Sequence, residues 1–163
     1  MSGLAAGASD PQVQLQGALD LSFTYLGHRD RTVAEMRRHL ERKRVEPAGI
    51  DAAIAELERL QYLDDERFAR RFAEDRRRLD GWGADRIERR LLALGVEPAV
   101  AAGAAATGDG HDELSAAVEV LRRRVRRPPR TDRDRDRALG VLARRGYELE
   151  LAYDAVRAFE REE

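Results

Sequence analysis

Apolar residues recur along this chain at intervals of three and four, which is the period of amphipathic helices. One such stretch begins at Thr32 and carries Met36 and Leu40, with Glu35 three residues after Thr32. That spacing is typical of a capping box at a helix start. No segment alternates apolar and polar residues with the period of two that a half-buried strand needs. The pattern predicts an all-α fold.

The same apolar pattern returns twice at a fixed spacing. One set of apolar residues, at steps of 51 residues, is Val45, Val96 and Tyr147. A second set with the same spacing is Leu40, Leu91 and Leu142. Gly95 and Gly146 occupy the place that Arg44 has in the first copy. A residue in the left-handed conformation commonly ends a helix there. The spacing therefore indicates an internal repeat.

Each copy has room for three helices, so we expect three tandem three-helix repeats forming an elongated, curved helical array. The predicted boundaries are a flexible N-terminal tail at 1–14, repeat 1 at 15–63, repeat 2 at 64–108 and repeat 3 at 109–163. A single unit of this size buries only a small core. The repeats must therefore pack against their neighbours.

The amino-acid composition excludes several kinds of functional site. Charged residues make up 37% of the chain, although the net charge is −1. The chain has no cysteine, which excludes disulfides, thiol chemistry and cysteine-ligated metals. Neither a secretion signal nor an apolar run long enough to cross a membrane is present, so we expect a cytoplasmic protein, and charged helical chains of this type favour a monomer.

No group of residues predicts catalysis. His28, His39 and His111 share no metal-ligand spacing, and no nucleophile stands near a suitable base. The adjacent carboxylates Asp64 and Asp65 fit a helix start, with Asp64 as the N-cap, better than an acid pair. We therefore predict no enzyme, no catalytic residue, no metal and no cofactor. Phe68 and Phe72, one turn apart, are expected to enter the core.

Basic clusters are the remaining candidates for function. On helix faces they fit either a solvated surface balanced by acids or a contact with phosphates or an acidic partner. The block from 122 to 127 is the strongest candidate for contact, because no acid interrupts it. The candidate contact residues are Arg37, Arg38, Arg42, Lys43, Arg89, Arg90, Arg122, Arg123, Arg124, Arg126, Arg127 and Arg130.

Three motifs together resemble a known family. They are Leu63-Asp64-Asp65-x-Arg67-Phe68-Ala69, Gly81-x-Gly83-x2-Arg86-Ile87 and Leu142-x2-Arg145-Gly146-Tyr147. The chain from about 18 to 159 is similar to RecX, the family of bacterial regulators of the recombinase RecA. The resemblance implies three tandem three-helix modules, in agreement with the repeat. We expect the first motif, Leu63, Asp64, Asp65, Arg67, Phe68 and Ala69, to act through folding.

The resemblance also implies a function and partners. Proteins of the family bind the RecA–DNA filament and suppress its ATP hydrolysis, strand exchange and the co-protease activity of the SOS response. The implied partners are the RecA filament and, weakly on their own, single- and double-stranded DNA. The alternative hypothesis is a helical DNA-binding protein that acts without a recombinase. A third hypothesis is a helical scaffold that binds no nucleic acid.

Overall fold

A computed structural model describes residues 10–106 and 110–162. Over these ranges the backbone forms nine α-helices and a π-helical segment, and no strand. The helices are α1 (Pro11–Leu26), α2 (Val33–Arg42), α3 (Pro47–Arg59), α4 (Asp65–Asp75), α5 (Ala84–Ala93), α6 (Pro98–Ala105), α7 (Gly110–Arg124), α8 (Asp132–Arg144) and α9 (Leu149–Glu160). The π-helical segment, Arg76–Asp80, directly follows α4. The predicted all-α class is confirmed.

The repeated helix ends adopt the predicted left-handed turn. The φ angles are 59° at Arg44, 84° at Gly95 and 83° at Gly146. In each copy the N–H of the next residue donates to the repeated leucine carbonyl, in the pairs Val45–Leu40 (3.1 Å), Val96–Leu91 (3.1 Å) and Tyr147–Leu142 (3.2 Å). This is the long bond of a Schellman motif. The 51-residue spacing therefore corresponds to a recurring turn.

The first helix begins earlier than the apolar pattern suggested. Asp10 accepts the N–H of Gln12 through its side chain at 2.9 Å, and Pro11 occupies the first helical turn. Proline is favoured there because its missing N–H would have no partner within the helix. The tail predicted at 1–14 thus overlaps α1 at 11–14, and residues 1–9 lie outside the described part of the chain. The repeat boundaries remain a prediction.

The chain divides after Phe68 into two compact units. In the first unit, α1, α2 and α3 enclose a core in which Met36, Leu40 and Leu57 are fully buried. Arg29 forms an ion pair with Glu35, the buried acid of the predicted capping box at Thr32. That capping box is confirmed.

The second unit has its largest core between α7, α8 and α9. Leu121 and Leu142 are fully buried there, and Phe159 closes one side. Ile87 and Leu91 of α5 are also fully buried. The repeated leucines at 40, 91 and 142 are therefore all core residues.

The expectation that Phe68 and Phe72 enter the core was wrong. Both rings are half-buried, and the buried residues of α4 are Ala69 and Ala73. The fully buried positions of α4 therefore carry small side chains, and the phenylalanines remain partly exposed. Phe72 instead packs edge-on against Trp82, with ring centroids 6.2 Å apart.

Candidate nucleic-acid interface

Trp82 lies at the joint between two helices of the second unit. The π-helical segment ends at Gly81, whose φ of 64° is left-handed, and Gly83 is the N-cap of α5. This Gly-Trp-Gly stretch thus ends one helix and starts the next. The half-buried indole is held by the edge of Phe72 and by the guanidinium of Arg86, 4.2 Å from its ring centre.

One face of α5 presents a row of arginines next to this indole. Arg86, Arg89, Arg90 and Ala93 follow the three- and four-residue spacing that places side chains on one side of a helix. Together with Trp82 and Arg144, from the end of α8, they line an open cavity of about 520 Å³. We call this the Trp82 cavity.

The Trp82 cavity is cationic. Four guanidinium groups line it, and none of its described lining residues carries a carboxylate. Arg86 donates to the carbonyl oxygen of Arg144 at 2.9 Å, and Arg89 donates to that of Asp85 at 3.2 Å, so neither is neutralised by an acid in these contacts. Within 10–106 and 110–162, Arg90 and Arg144 form no salt bridge. The positive charge is therefore available to a ligand.

The positive charge around the cavity also affects neighbouring Arg145, whose pKa is lowered. Burial lowers it below its ordinary value, and repulsion from Arg124, Arg86 and Arg144 lowers it further. Three cations around a fourth produce a local positive potential even though the net charge of the chain is −1.

A second cationic cavity lies where α7 leads into α8. Its volume is about 370 Å³, and its lining residues are Val125, Arg126, Arg127, Pro128, Arg130, Asp134 and Arg137. Asp134 is already engaged, because its side chain accepts the Thr131 hydroxyl at 2.9 Å and the backbone N–H of Arg130 at 3.4 Å. Its pKa is lowered, mainly by the Thr131 hydrogen bond. We call this the Arg130 cavity; it has no aromatic lining residue.

The first two arginines of the 122–127 block form ion pairs with acids that lie outside the block. Arg122 pairs with Glu119 at 3.2 Å and also with Glu162, and Arg123 pairs with Glu119 at 3.0 Å. Glu119 lies three and four residues earlier, so the helix brings it onto the same side. Arg124, Arg126 and Arg127 are exposed. The absence of an intervening acid therefore did not leave the whole block free.

The candidates in the first unit are dispersed. Arg37 pairs with Asp51 at 2.9 Å, and Arg38 makes a weak contact of 3.4 Å with the carbonyl oxygen of Ala34. Arg42 and Lys43 are exposed at the end of α2 and form no salt bridge with any described residue. Neither the Trp82 cavity nor the Arg130 cavity is lined by any of these four residues.

The first motif makes its contacts within the protein. Leu63 and Ala69 are buried, and Asp64 caps α4 by accepting the N–H of Arg67 at 2.9 Å. The side chain of Arg67 donates to the carbonyl oxygen of Gln61 at 2.6 Å. Phe68 lies half-buried beside them.

Asp65, at the start of α4, caps a different helix, α2. Its side chain accepts the N–H of Val33, the first residue of α2, at 2.9 Å. Glu113 does the same for Ala84, the first residue of α5, at 3.1 Å. Val33 and Ala84 are 51 residues apart, so the two capped positions are equivalent in the repeat, whereas Asp65 and Glu113 are 48 residues apart. In both cases a carboxylate near the start of a later helix, α4 or α7, accepts an N–H that lacks a partner within its own helix.

Sequence reasoning missed Trp82 and Arg144 as parts of a site. Trp82 lies just before α5 and only four residues from Arg86, so their short separation in the sequence could have suggested that pair. Arg144 lies on a different helix, and no local pattern indicates it. Within the described side chains, which exclude that of His111, no cluster of acids and histidines could hold a metal ion. Nor is any described helix long and apolar enough to cross a membrane.

Comparison with known proteins decides the family. The models of the first and second three-helix domains of RecX match residues 18–57 and 64–104. A regulatory protein RecX of Amycolatopsis mediterranei is 30% identical over 90% of this chain and 85% of its own length. The chain belongs to the RecX family. A second RecX regulatory protein, from Mycolicibacterium vanbaalenii, is 36% identical over 85% of this chain and 79% of its own length.

A solved RecX structure shows the same fold. The crystal structure of RecX from Lactobacillus salivarius superposes with a TM-score of 0.80 at 14% identity, covering 92% of this chain and 99% of its own. The helical architecture thus persists although most side chains differ. The RecX resemblance stated from the motifs is confirmed.

Proposed function

We propose that this protein regulates RecA as an inhibitor. It binds the RecA–DNA filament and suppresses ATP hydrolysis, strand exchange and co-protease activity, and so acts in DNA repair and the SOS response. Membership of a family of regulatory proteins over most of the chain is the observation that carries the proposal.

The charge distribution supports a partner that contains phosphates. Two cavities of the second unit are lined by arginines, and the larger has no carboxylate in its lining. Arginine forks bind phosphate oxygens in pairs, and such contacts hold a protein on DNA without reading sequence. A protein that must act on filaments of any sequence needs contacts of this kind.

The test is single-strand-dependent ATP hydrolysis by RecA, with this protein titrated in. We expect suppression at well below one molecule per RecA protomer. Unchanged hydrolysis at equimolar protein, with the helical fold shown by circular dichroism, would contradict the inhibitor proposal.

A matched pair of double variants links inhibition to the cavities. Arg126→Gln with Arg130→Gln removes two charges from the Arg130 cavity, and we expect weaker inhibition. Arg78→Gln with Arg157→Gln removes two exposed arginines that pair with Asp75 and Asp154 one turn away, and we expect inhibition to persist. Equal inhibition by both variants would remove the Arg130 cavity from the proposal.

The same cationic cavities favour one alternative function, a DNA-binding protein that acts without RecA. Tight DNA binding that weakens steeply with salt, together with no effect on RecA, would support it. We also propose a cytoplasmic monomer. Light scattering coupled to gel filtration tests the monomer.

A further inference from the structure

We infer that the Trp82 cavity is a subsite for one unstacked nucleotide of single-stranded nucleic acid, with the base on the indole–guanidinium surface and its phosphates on the surrounding arginines. This deepens the proposed function by naming the ligand of the cavity. Its test contains no RecA, so either proposal can fail while the other stands.

The first argument is shape and size. A volume of about 520 Å³ falls within the range of roughly 300–1,000 Å³ typical of small-ligand pockets, which suits a nucleotide. The cavity is open, as it must be if a polymer is to enter and leave. Its walls come from α5, the turn before it and the end of α8.

The second argument is the pairing of an aromatic surface with cations. The guanidinium of Arg86 lies 4.2 Å from the Trp82 ring centre and is held by its bond to the Arg144 carbonyl. Tryptophan rings and arginine planes are the surfaces on which proteins stack unpaired bases. Arg89, Arg90 and Arg144 form no salt bridge with described residues, so they are available to the flanking phosphates.

The third argument is the contrast with the Arg130 cavity. That cavity also collects arginines, but it includes Asp134 and no aromatic residue. It can contact phosphates of either a single strand or a duplex. A base inside a duplex cannot reach an indole, so preference for single strands belongs to the Trp82 cavity. An acidic peptide would use the arginines but gain little from the ring.

Trp82 is the only tryptophan of the chain, so its fluorescence reports on the cavity itself. We expect oligothymidylate to quench this fluorescence and a duplex of equal length to quench it much less. Quenching by polyglutamate to the same degree would overturn the assignment in favour of an acidic peptide. Unchanged fluorescence while anisotropy of a labelled oligothymidylate shows binding would also overturn it.

Variants separate stacking from charge. Arg89→Gln with Arg90→Gln should lower single-strand affinity about tenfold or more and reduce the slope of log affinity against log salt by about 1.4, for two lost phosphate contacts. Arg126→Gln with Arg130→Gln should weaken single-strand and duplex binding alike. Equal loss of single-strand and duplex binding in the Arg89/Arg90 variant would overturn the inference.

Replacement of the ring completes the test. Trp82→Leu should lower single-strand affinity by about 5- to 150-fold, the range for loss of one stacked base, and leave duplex affinity unchanged. Trp82→Phe keeps a stacking surface and should restore most of the affinity. If Trp82→Leu disturbs the joint with Phe72, circular dichroism detects it and the arginine variants decide. Wild-type single-strand affinity in a folded Trp82→Leu protein would overturn the inference.

Discussion

Gly83 donates its backbone N–H to the carbonyl oxygen of Arg145 at 2.7 Å, which joins the start of α5 to the turn between α8 and α9. Two residues further on, Asp85 donates to the carbonyl oxygen of Gly146 at 3.1 Å. With the Glu113 carboxylate on the N–H between them, three consecutive donors at this helix start have partners outside α5. The approach is possible because neither glycine has a side chain.

Gly83→Ala should therefore destabilise the protein. A Cβ at Gly83 would lie 2.5 Å from the carbonyl oxygen of Gly146, and a backbone atom cannot easily move aside. We expect a loss of about 2–3 kcal/mol in the free energy of unfolding, measured by urea denaturation. The control is Gly103→Ala inside α6, where a Cβ meets nothing within 4 Å and stability should rise by about 0.5–1 kcal/mol. Equal effects of the two substitutions would contradict the close approach.

Asp65 caps α2, and two substitutions separate its hydrogen bond from its charge. Asp65→Ala removes the acceptor of the Val33 N–H and should cost about 1 kcal/mol. Asp65→Asn keeps an oxygen acceptor and removes a charge that burial disfavours, so we expect a change below about 0.5 kcal/mol. Chemical denaturation of both variants at neutral pH checks this, and equal losses would show that the charge itself is needed.

The pKa of Asp65 gives the sign of a pH effect. Burial raises this pKa, opposed by the Val33 hydrogen bond. The folded chain therefore binds the proton more tightly than the unfolded chain does. The stabilisation that results is complete below the unfolded pKa of about 3.9 and is lost as pH rises through the folded value. The stability of the wild type relative to Asp65→Asn should thus fall as pH rises across this window, and a rise would contradict the shift.

We expect the hydroxyl of Tyr147 to lose its proton at a higher pH than that of an exposed tyrosine. Burial raises its pKa to about 12, with a further contribution from Glu113. The folded chain holds this proton more tightly, so the stabilisation is present below the unfolded pKa of about 10 and lost as pH rises through about 12. The ultraviolet difference titration of wild type against Tyr147→Phe should show a transition near the folded value. A transition at the ordinary pKa, with the fold intact, would show that the hydroxyl is solvated.

Arg44 is held in a conformation that glycine adopts more easily. Its φ is 59°, and the left-handed region costs a residue with a side chain roughly 1–2 kcal/mol. We expect Arg44→Gly to stabilise the first unit by about 0.5–1 kcal/mol after the extra flexibility of glycine in the unfolded chain is counted. The neighbouring Lys43 has a φ of −81°, so Lys43→Gly gains no such relief and should destabilise. Thermal unfolding distinguishes the two, and destabilisation by both would contradict the prediction.

Local patterns predicted most of the helical framework. The Thr32–Glu35 capping box, the Asp64 cap and the left-handed turns at Gly95 and Gly146 formed as expected, because each depends on residues within one or two turns. Arg44 adopts the same left-handed conformation without being a glycine. The start of α1 was placed too late, since the cap at Asp10 precedes any apolar repeat. The phenylalanines of α4 were misplaced because spacing identifies a helix face but not which of its residues packing buries completely.

The candidate site was predicted less completely. Arg89 and Arg90, two of the candidate contact residues, both line the Trp82 cavity, but that cavity also includes Arg144, which follows them by more than fifty residues. Likewise, Glu162 reaches Arg122 across forty residues.

By itself the sequence determined most of the helices, those caps that lie within one helix start, the repeat and the family, because hydrophobic periodicity and backbone conformation are local properties of the chain. Tertiary structure decided which arginines share a cavity and which pair with an acid distant in the chain, as Arg122 does with Glu162. Both depend on distance in space, and packing of α5 against the α8–α9 turn sets that distance for the Trp82 cavity.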